Sequence, residues 1–215
     1  MQTKPLLRGY LHLGAAALTL LCTTVLLILA RGDTVKQISL LVYGASAELL
    51  FAMSALYHIG AWRPATRALL RRLDHANIFV LIGGTYTPIA VNLLAGGWRA
   101  GILAAIWLLA LGGIVLAVLD LPLPRLARVG LYVATGWVAL AAVPEILAHT
   151  GGSGLLVLLA GGLLYTAGAL AYALKRPDLW PRVFGYHELF HLATVAANGV
   201  FFAFMVAMVL PALRS

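Results

Sequence analysis

Hydrophobic residues occur along this chain in seven long runs separated by short polar segments. The runs cover residues 10–30, 37–59, 75–94, 101–119, 127–147, 154–174 and 186–210. A helix needs about 20 predominantly apolar residues to cross the hydrocarbon core of a bilayer. The runs do not alternate apolar and polar residues with period two, as transmembrane strands do. The pattern therefore predicts an all-α, polytopic membrane protein with seven transmembrane helices.

The basic residues between the runs predict which way the chain crosses the membrane. Eleven of them fall before the first run or in alternate loops: Lys4, Arg8, Arg63, Arg67, Arg71, Arg72, Arg125, Arg128, Lys175, Arg176 and Arg182. Four fall on the other side: Arg31, Lys36, Arg99 and Arg214. Cytoplasmic loops carry an excess of Lys and Arg, so we expect a cytoplasmic N-terminus and an external C-terminus. That orientation requires an odd number of spans, in agreement with seven.

Composition supports a membrane protein without a soluble domain. Hydrophobic residues make up 62% of the 215 residues, charged residues make up 10%, and the mean hydropathy is +0.97. A soluble domain of this length could not bury so much apolar surface. We predict one seven-helix transmembrane domain over residues 1–215, placed in the plasma (inner) membrane. The first run exceeds the 7–15 residues of a signal-peptide core, and we interpret it as a retained span.

In a soluble protein, a net charge of +8 would suggest nucleic-acid binding, but this chain is predicted to lie in a membrane. The basic residues lie in short loops without interleaved aromatic residues, so nucleic acid is not an expected partner. Membrane lipids are the expected partners, including anionic headgroups near the Arg63–Arg72 cluster. The sequence leaves the oligomeric state open.

The single cysteine, Cys22, allows neither an internal disulfide nor a cysteine-based metal site.

Ionisable side chains inside apolar runs are candidates for function because their burial in lipid is costly. The set is Glu48, His58, Asp74, His75, Glu145, His187, Glu188 and His191, with His12 and His149 near span ends. His187 and His191 are four residues apart and share one helix face. Two imidazoles at this spacing can converge on one metal ion, as in zinc enzymes. The alternative is a pair of interfacial histidines at a span end.

A third ligand has to come from another helix. His187-Glu188-Leu189-Phe190-His191 matches the H-E-x-x-H motif of zinc proteases, but no His, Asp or Glu follows His191. His58 closes the second span at the same cytoplasmic end, and it is the preferred third ligand. Three neutral histidines leave one coordination position open for water, which is the catalytic pattern for Zn²⁺.

The other ionisable residues are less suitable as ligands. Glu145 and His149 fall at the opposite membrane face. Glu48 is about 15 Å deeper than His58, at 1.5 Å per residue, and has no evident partner. His12 is on the correct side, but we interpret it as an interfacial residue in the first turn. His75 is adjacent to Asp74 and is expected to point elsewhere.

Three polar residues could assist a metal site. Asp74 could act as general base or orient a histidine, or it could cap the N-terminus of the third helix. Ser54 lies one turn before His58 and could hydrogen-bond a water or a neighbouring group, or only its own backbone. Glu188 could transfer protons, or it could be a rim residue balancing Arg182.

Three blocks of this sequence together resemble a known family. Ser54-Ala55-Leu56-Tyr57-His58, Asp74-His75-Ala76-Asn77-Ile78 with Gly84-Thr85-Tyr86-Thr87-Pro88, and His187-Glu188-Leu189-Phe190-His191 are similar to motifs of the haemolysin III / progestin and adipoQ receptor group. The blocks occur in the family's order and on the predicted spans, and the short N-terminus resembles the bacterial haemolysin III branch.

The resemblance implies a seven-helix fold with zinc held by His58, His187 and His191. It also implies that Asp74 and Ser54 lie near the zinc-bound water. The related adiponectin receptors and alkaline ceramidases suggest hydrolysis of a lipid amide such as ceramide. Bacterial members are named for haemolysis, and some are linked to membrane-energetics homeostasis.

Three functions remain open from the sequence. The first is a zinc hydrolase whose lipid substrate enters from the inner leaflet. The second is a membrane sensor in which zinc is structural and its fourth position is filled, for example by Asp74. The third is a pore-forming, haemolytic or ion-coupled protein, which predicts a file of polar residues such as Glu48, Asn92, Glu145 and Asn198 through the bundle.

Overall fold

The computed structural model describes residues 7–180 and 183–213, and these residues form helices without a strand. The basic residues Lys4, Arg182 and Arg214, which entered the prediction of orientation, lie outside the described ranges. The helices are α1 Tyr10–Leu29, α2 Thr34–Ile59, α3 Pro64–Leu93, α4 Gly96–Val118, α5 Arg125–Gly136, α6 Val143–Leu174 and α7 Tyr186–Phe204. A 3₁₀ segment, Trp137–Ala142, joins α5 to α6, and a π segment, Met205–Val209, extends α7.

Within the described ranges, six helical stretches are long and apolar enough to cross a membrane. They are Tyr10–Leu29, Thr34–Ile59, Pro64–Leu93, Gly96–Val118, Arg125–Leu174 and Tyr186–Val209. The prediction of an all-helical membrane protein with several spans is therefore confirmed. Five stretches each contain one predicted span, whereas Arg125–Leu174 contains both 127–147 and 154–174.

The stretch Arg125–Leu174 is a hairpin and not one straight rod. Its backbone leaves the helical region at Gly151, where φ is 65° and ψ is −176°. The Trp137 indole Nε1 donates a hydrogen bond to the Thr166 hydroxyl over 3.0 Å, although a straight helix would separate these residues by about 43 Å. The Arg125 guanidinium lies 4.3 Å from the centre of the Tyr172 ring. The two arms therefore run side by side.

Helix α3 begins eleven residues before the predicted run. Pro64 occupies its first turn after the extended Arg63, where proline costs no intrahelical hydrogen bond. The first turns carry arginines that hydropathy alone excludes from a span. One of them, Arg71, donates a 2.7 Å hydrogen bond to Asp120, which follows α4, and this lowers the pKa of the Asp120 carboxyl. Asp74 consequently lies inside α3, so its interpretation as an N-cap is wrong.

Small and polar residues fix the contacts between helices. Gly84 of α3 lies against Ser46 of α2 so closely that a Cβ there would collide with the Ser46 side chain. In a bilayer, small residues of this kind let helices approach closely. Asn92 donates to the Ser39 hydroxyl over 2.9 Å and joins the same two helices.

The beginning of α2 is hydrogen-bonded to the residues that follow the π segment at the end of α7. The Lys36 ammonium donates 2.8 Å hydrogen bonds to the carbonyl oxygens of Leu210 and Ala212. Leu210 caps the π segment, where no intrahelical donor remains for its carbonyl, and Ala212 lies just beyond it. Tyr43, two turns further along α2, donates to the Asn198 side-chain oxygen over 3.1 Å. Helices α2 and α7 therefore run antiparallel, and the end of α2 meets the beginning of α7.

Candidate metal centre

Three histidines converge where α2 ends and α7 begins. His58 is the penultimate residue of α2, and His187 and His191 lie in the first two turns of α7. One ring nitrogen from each residue lies within 4.8 Å of the other two. The Nε2 atoms of His58 and His187 are 3.3 Å apart. The structure thus places together the three residues that the sequence selected as ligands, close enough to hold a metal ion.

One of the three separations matches the ligand spacing of a tetrahedral ion such as zinc, and the full set lies within 4.8 Å. Zinc binds imidazole nitrogen at about 2.0–2.1 Å, and two ligands of a tetrahedron are then roughly 3.3–3.4 Å apart. The observed 3.3 Å separation agrees with this edge. His191 is 2% exposed, and its Nδ1 has no hydrogen-bond partner among the described residues. A buried imidazole without a partner is costly unless another group completes its coordination.

Asp74 lies beside the histidines and contributes a carboxylate. Its Oδ2 is 3.9 Å from His58 Nε2, and its side chain is 15% exposed. The Ser54 hydroxyl, one turn before His58, interacts with this carboxyl. Ser54 is buried, and both residues line the same cavity. The two polar residues that the sequence placed near a metal water are therefore next to the three histidines.

His12 is not the interfacial residue that the sequence predicted. It is 2% exposed, and its ring stacks on His191 with centroids 3.9 Å apart and an angle of 8° between the planes. The prediction failed because a histidine in the first turn of a span normally reaches the headgroups, and the sequence does not reveal that α1 packs against α7. The only available signal was that His12 lies at the same predicted membrane face.

Glu188 is not a rim residue. It is completely buried, accepts a 2.7 Å hydrogen bond from Arg8 Nε, and accepts a second, of 3.0 Å, from the backbone N–H of Gly185. The second contact is half of a capping box at the start of α7. The predicted cation, Arg182, lies outside the described residues, and Arg8 occupies the role that was assigned to it.

The remaining ionisable candidates lie away from the histidine cluster. His75 borders the cavity but lies near Arg71 and Arg128. The ring of His149 bonds the backbone oxygen of Glu145 at 2.9 Å, one turn away. Glu48 is half-buried in α2 and outside the cavity lining. Their separation from the cluster agrees with the prediction.

A mostly apolar cavity of about 270 Å³ extends from His187 and His191 into the bundle. Along α3 it runs from Asp74 to Tyr86, which is about 18 Å at 1.5 Å per residue. The walls include Ile78, Leu81 and Phe201. Ser54 and Asp74 provide polar groups at one end, and the lining also includes arginine, threonine and tyrosine side chains: Arg125, Arg128, Thr85, Thr166, Thr194, Tyr132, Tyr165 and Tyr172. An apolar pocket with a few polar groups at one end is typical of a small-molecule site. Its shape suits an extended apolar chain with a polar group beside the histidines.

Comparison with known proteins gives one consistent result. A family model described as "Haemolysin-III related" matches residues 1–202. The chain is 33% identical over 183 residues to Hemolysin-3 of Bacillus cereus, covering 84% of this chain and 80% of that protein. It is 31% identical over 171 residues to the Hemolysin-3 homolog of Bacillus subtilis (strain 168), covering 80% and 77%.

A plant protein shows a more distant similarity. Heptahelical transmembrane protein 4 of Arabidopsis thaliana is 29% identical over 173 residues, which are 71% of this chain and 44% of that protein. The family match covers α1 to α6 and most of α7, including every histidine of the cluster. The chain therefore belongs to the haemolysin III family of membrane proteins.

Proposed function

We propose that this protein is a zinc-dependent hydrolase of lipid amides, with ceramide-like molecules as the substrate class. The observation that carries the proposal is the convergence of His58, His187 and His191 at one end of an apolar cavity that also holds Asp74 and Ser54. Three nitrogen donors suit zinc and leave one coordination position for a reacting group. Zinc, when bound, supplies Lewis acidity that polarises a carbonyl and makes water reactive near neutral pH.

The protein's own side chains accept the proton, orient the proton acceptor and bind the acyl chain. Asp74 takes a proton at its carboxylate oxygen, because this oxygen is 3.9 Å from His58 Nε2 and the residue lines the cavity. Ser54 orients that carboxyl through its hydroxyl. The apolar walls hold the acyl chain and exclude bulk water, so that the amide lies beside the histidines. The substrate enters from the inner leaflet, since the cluster lies at the proposed cytoplasmic end.

This proposal includes a membrane topology with seven crossings. The hairpin Arg125–Leu174 is about 75 Å long when unfolded into one helix, more than twice the hydrocarbon thickness, and its two arms form two crossings. The N-terminus is cytoplasmic, the C-terminus is external, and residues 1–215 form one domain in the plasma (inner) membrane. Membrane lipids, and not nucleic acid, are the partners.

Labelling of single cysteines tests this topology. With Cys22 replaced by alanine, cysteines are introduced at Arg67, Trp98 and Gly152. A membrane-impermeant maleimide added to intact cells should label the variants at Trp98 and Gly152 but not the variant at Arg67. Labelling at Arg67 would contradict the orientation, and protection at Gly152 would contradict the two crossings of the hairpin.

Metal content is the first test of the proposed site. Detergent-purified protein should contain about one zinc per chain, and His191→Ala should lose it. His149→Ala is the matched control, because its ring bonds only its own helix turn in the described structure. A folded wild-type protein that binds no zinc from a zinc-containing buffer would contradict the proposal. Hydrolysis of N-acyl sphingoid bases is then assayed in mixed micelles.

A second function, in which zinc is structural, is favoured by one distance. The Asp74 carboxylate is 3.9 Å from His58 Nε2, so a small movement would make it a fourth ligand. The protein would then be a sensor, a haemolytic protein or an ion-coupled protein. The names of the two Bacillus relatives refer to haemolysis. X-ray absorption of the zinc-loaded protein distinguishes the two functions, because a carboxylate oxygen bound directly to the zinc favours the structural role. Ion flux in proteoliposomes that persists in His187→Ala would favour a pore.

A further inference from the structure

The segment that leads into α1 contacts two of the three proposed ligands and the residue next to the third. Arg8 donates to Glu188, the residue that follows His187, over 2.7 Å. Gly9 lies against His58, and a Cβ added at Gly9 would be 2.9 Å from the His58 Cβ. His12 stacks on His191. One turn of chain therefore lies against groups that belong to both helices of the proposed metal site.

Each contact is specific in a way that ordinary apolar packing is not. Glu188 is completely buried, so it requires a partner for its charge, and Arg8 provides one. Gly9 has φ of 92°, a left-handed conformation that favours glycine, and its missing side chain permits the approach to His58. The same Glu188 carboxylate also accepts from Gly185 N–H and so fixes the first turn of α7.

His12 does not have the geometry of a fourth ligand. Its ring is within 8° of parallel to the His191 ring at a centroid distance of 3.9 Å. Nitrogen lone pairs lie in the ring plane, so those of two parallel rings do not converge on one ion at about 2 Å. The His12 ring also meets Phe51 edge-on at 5.1 Å, which restricts its own orientation. His12 therefore contacts His191 through the face of its ring and not through a ring nitrogen.

We propose that residues 8–12 form a positioning clamp that sets the orientation of the three histidines and thereby raises the affinity of the site for metal. This inference rests on the proposed metal site. Arg8 and Glu188 fix the first turn of α7, Gly9 fixes the distance to the end of α2, and His12 restricts the rotation of the His191 ring. Outer residues that orient metal ligands typically change affinity by about 10- to 100-fold when they are replaced.

The principal experiment measures zinc affinity by competition with a chromophoric chelator, using the full chain in detergent. His12→Leu should weaken zinc binding by about 10- to 100-fold. His12→Phe, which retains a flat ring for stacking, should stay within about threefold of the wild type. The absorption spectrum of the Co²⁺-loaded protein should shift in His12→Leu and remain unchanged in His12→Phe. Wild-type affinity in His12→Leu would overturn the clamp, and so would equal losses in the two variants.

A double-mutant cycle tests the ion pair. Arg8→Gln and Glu188→Gln should each weaken zinc binding, and the double variant should lose less than the sum, because no buried charge is left unpaired. Lys36→Met is the matched control for general destabilisation, since Lys36 makes buried contacts at the opposite end of α7. It should lower thermal stability and leave zinc affinity unchanged. Strict additivity in the cycle would overturn the pairing role.

Hydrogen–deuterium exchange of the metal-free protein separates failure of the clamp from failure of the metal site. Residues 186–191 should exchange faster in His12→Leu and Arg8→Gln than in the wild type, and as slowly in Lys36→Met as in the wild type. If wild-type protein binds no zinc, the proposed function fails, but this exchange pattern still decides whether the clamp exists. Unchanged exchange in both clamp variants would overturn it.

Discussion

In the proposed reaction Asp74 takes the proton, so its surroundings matter most for the chemistry of the cavity. Its neighbours across the helix interfaces are His58, at 3.9 Å, and the Ser54 hydroxyl. It lies within α3, where a continuous helix holds its backbone rigidly. A carboxylate held between an imidazole cluster and an apolar chamber is well placed to move a proton without exchange with bulk water.

Replacement of Asp74 by asparagine should abolish hydrolysis but not metal binding. The side chain keeps its size, while the proton acceptor is lost, so we expect turnover to fall by about 10²- to 10⁴-fold. Zinc content should remain near one per chain, as measured by atomic absorption. Asp120→Asn is the control, because Asp120 pairs with Arg71 outside the cavity. Turnover near the wild-type rate in Asp74→Asn would show that another group takes the proton.

At the scale of elements, α2 and α7 form the antiparallel pair that carries the site. Their contact is polar at both ends: the histidine cluster at one end, and the bonds from Lys36 to the carbonyls of Leu210 and Ala212 at the other. Between these two ends, a hydrogen bond from Tyr43 to Asn198 joins the same helices. In lipid, where apolar side chains gain little by association, such hydrogen bonds contribute to the choice of neighbours.

Replacement of Lys36 by methionine should therefore destabilise the bundle. Two carbonyl groups lose a charged donor, and hydrogen bonds to charged groups contribute about 1.5–3 kcal/mol each in favourable cases. We expect a lower midpoint of thermal unfolding in detergent. Lys175→Met serves as control, because Lys175 is exposed at the end of α6. Equal midpoints for Lys36→Met and the wild type would mean that water replaces the ammonium group at no cost.

Much of this arrangement could be predicted from helical spacing and span order. Helical spacing predicted that His187 and His191 share one face. The order of the spans predicted that His58 lies at the same membrane face as these two residues. The 3₁₀ segment Trp137–Ala142 could not be found, because hydropathy reports burial in lipid and not backbone geometry. The break at Gly151, in contrast, falls in the gap that the apolar runs left between the fifth and sixth predicted spans. The role of His12 could not be found either, because it depends on α1 packing against α7, a contact between the two ends of the sequence.

At the scale of the whole molecule, the proposed metal would join the beginning and the end of the bundle. His58 belongs to α2, His187 and His191 belong to α7, and residues 8–12 link α1 to both. Binding of an ion to the folded state alone stabilises that state by mass action. The proposed metal would thus couple occupancy of the site to the integrity of the bundle.

Removal of zinc by a chelator should accordingly lower the unfolding temperature. At free zinc of 100 times the dissociation constant, the expected stabilisation is about 2.7 kcal/mol. The shift should be absent in His58→Ala, which loses one of the three nitrogens, and present in His149→Ala. Differential scanning fluorimetry with and without chelator measures it. An equal shift in His58→Ala would mean that the chelator acts on another site.

The contact between Arg8 and Glu188 joins residues that are 180 positions apart in the chain. A ribosome makes Arg8 long before Glu188, so the proposed clamp can close only after α7 has been inserted. Chains truncated before α7 lack both His187 and His191 and the partner of Arg8. Metal loading would therefore follow the insertion of α7, and it would mark those copies of the protein in which α1, α2 and α7 have come together in the membrane.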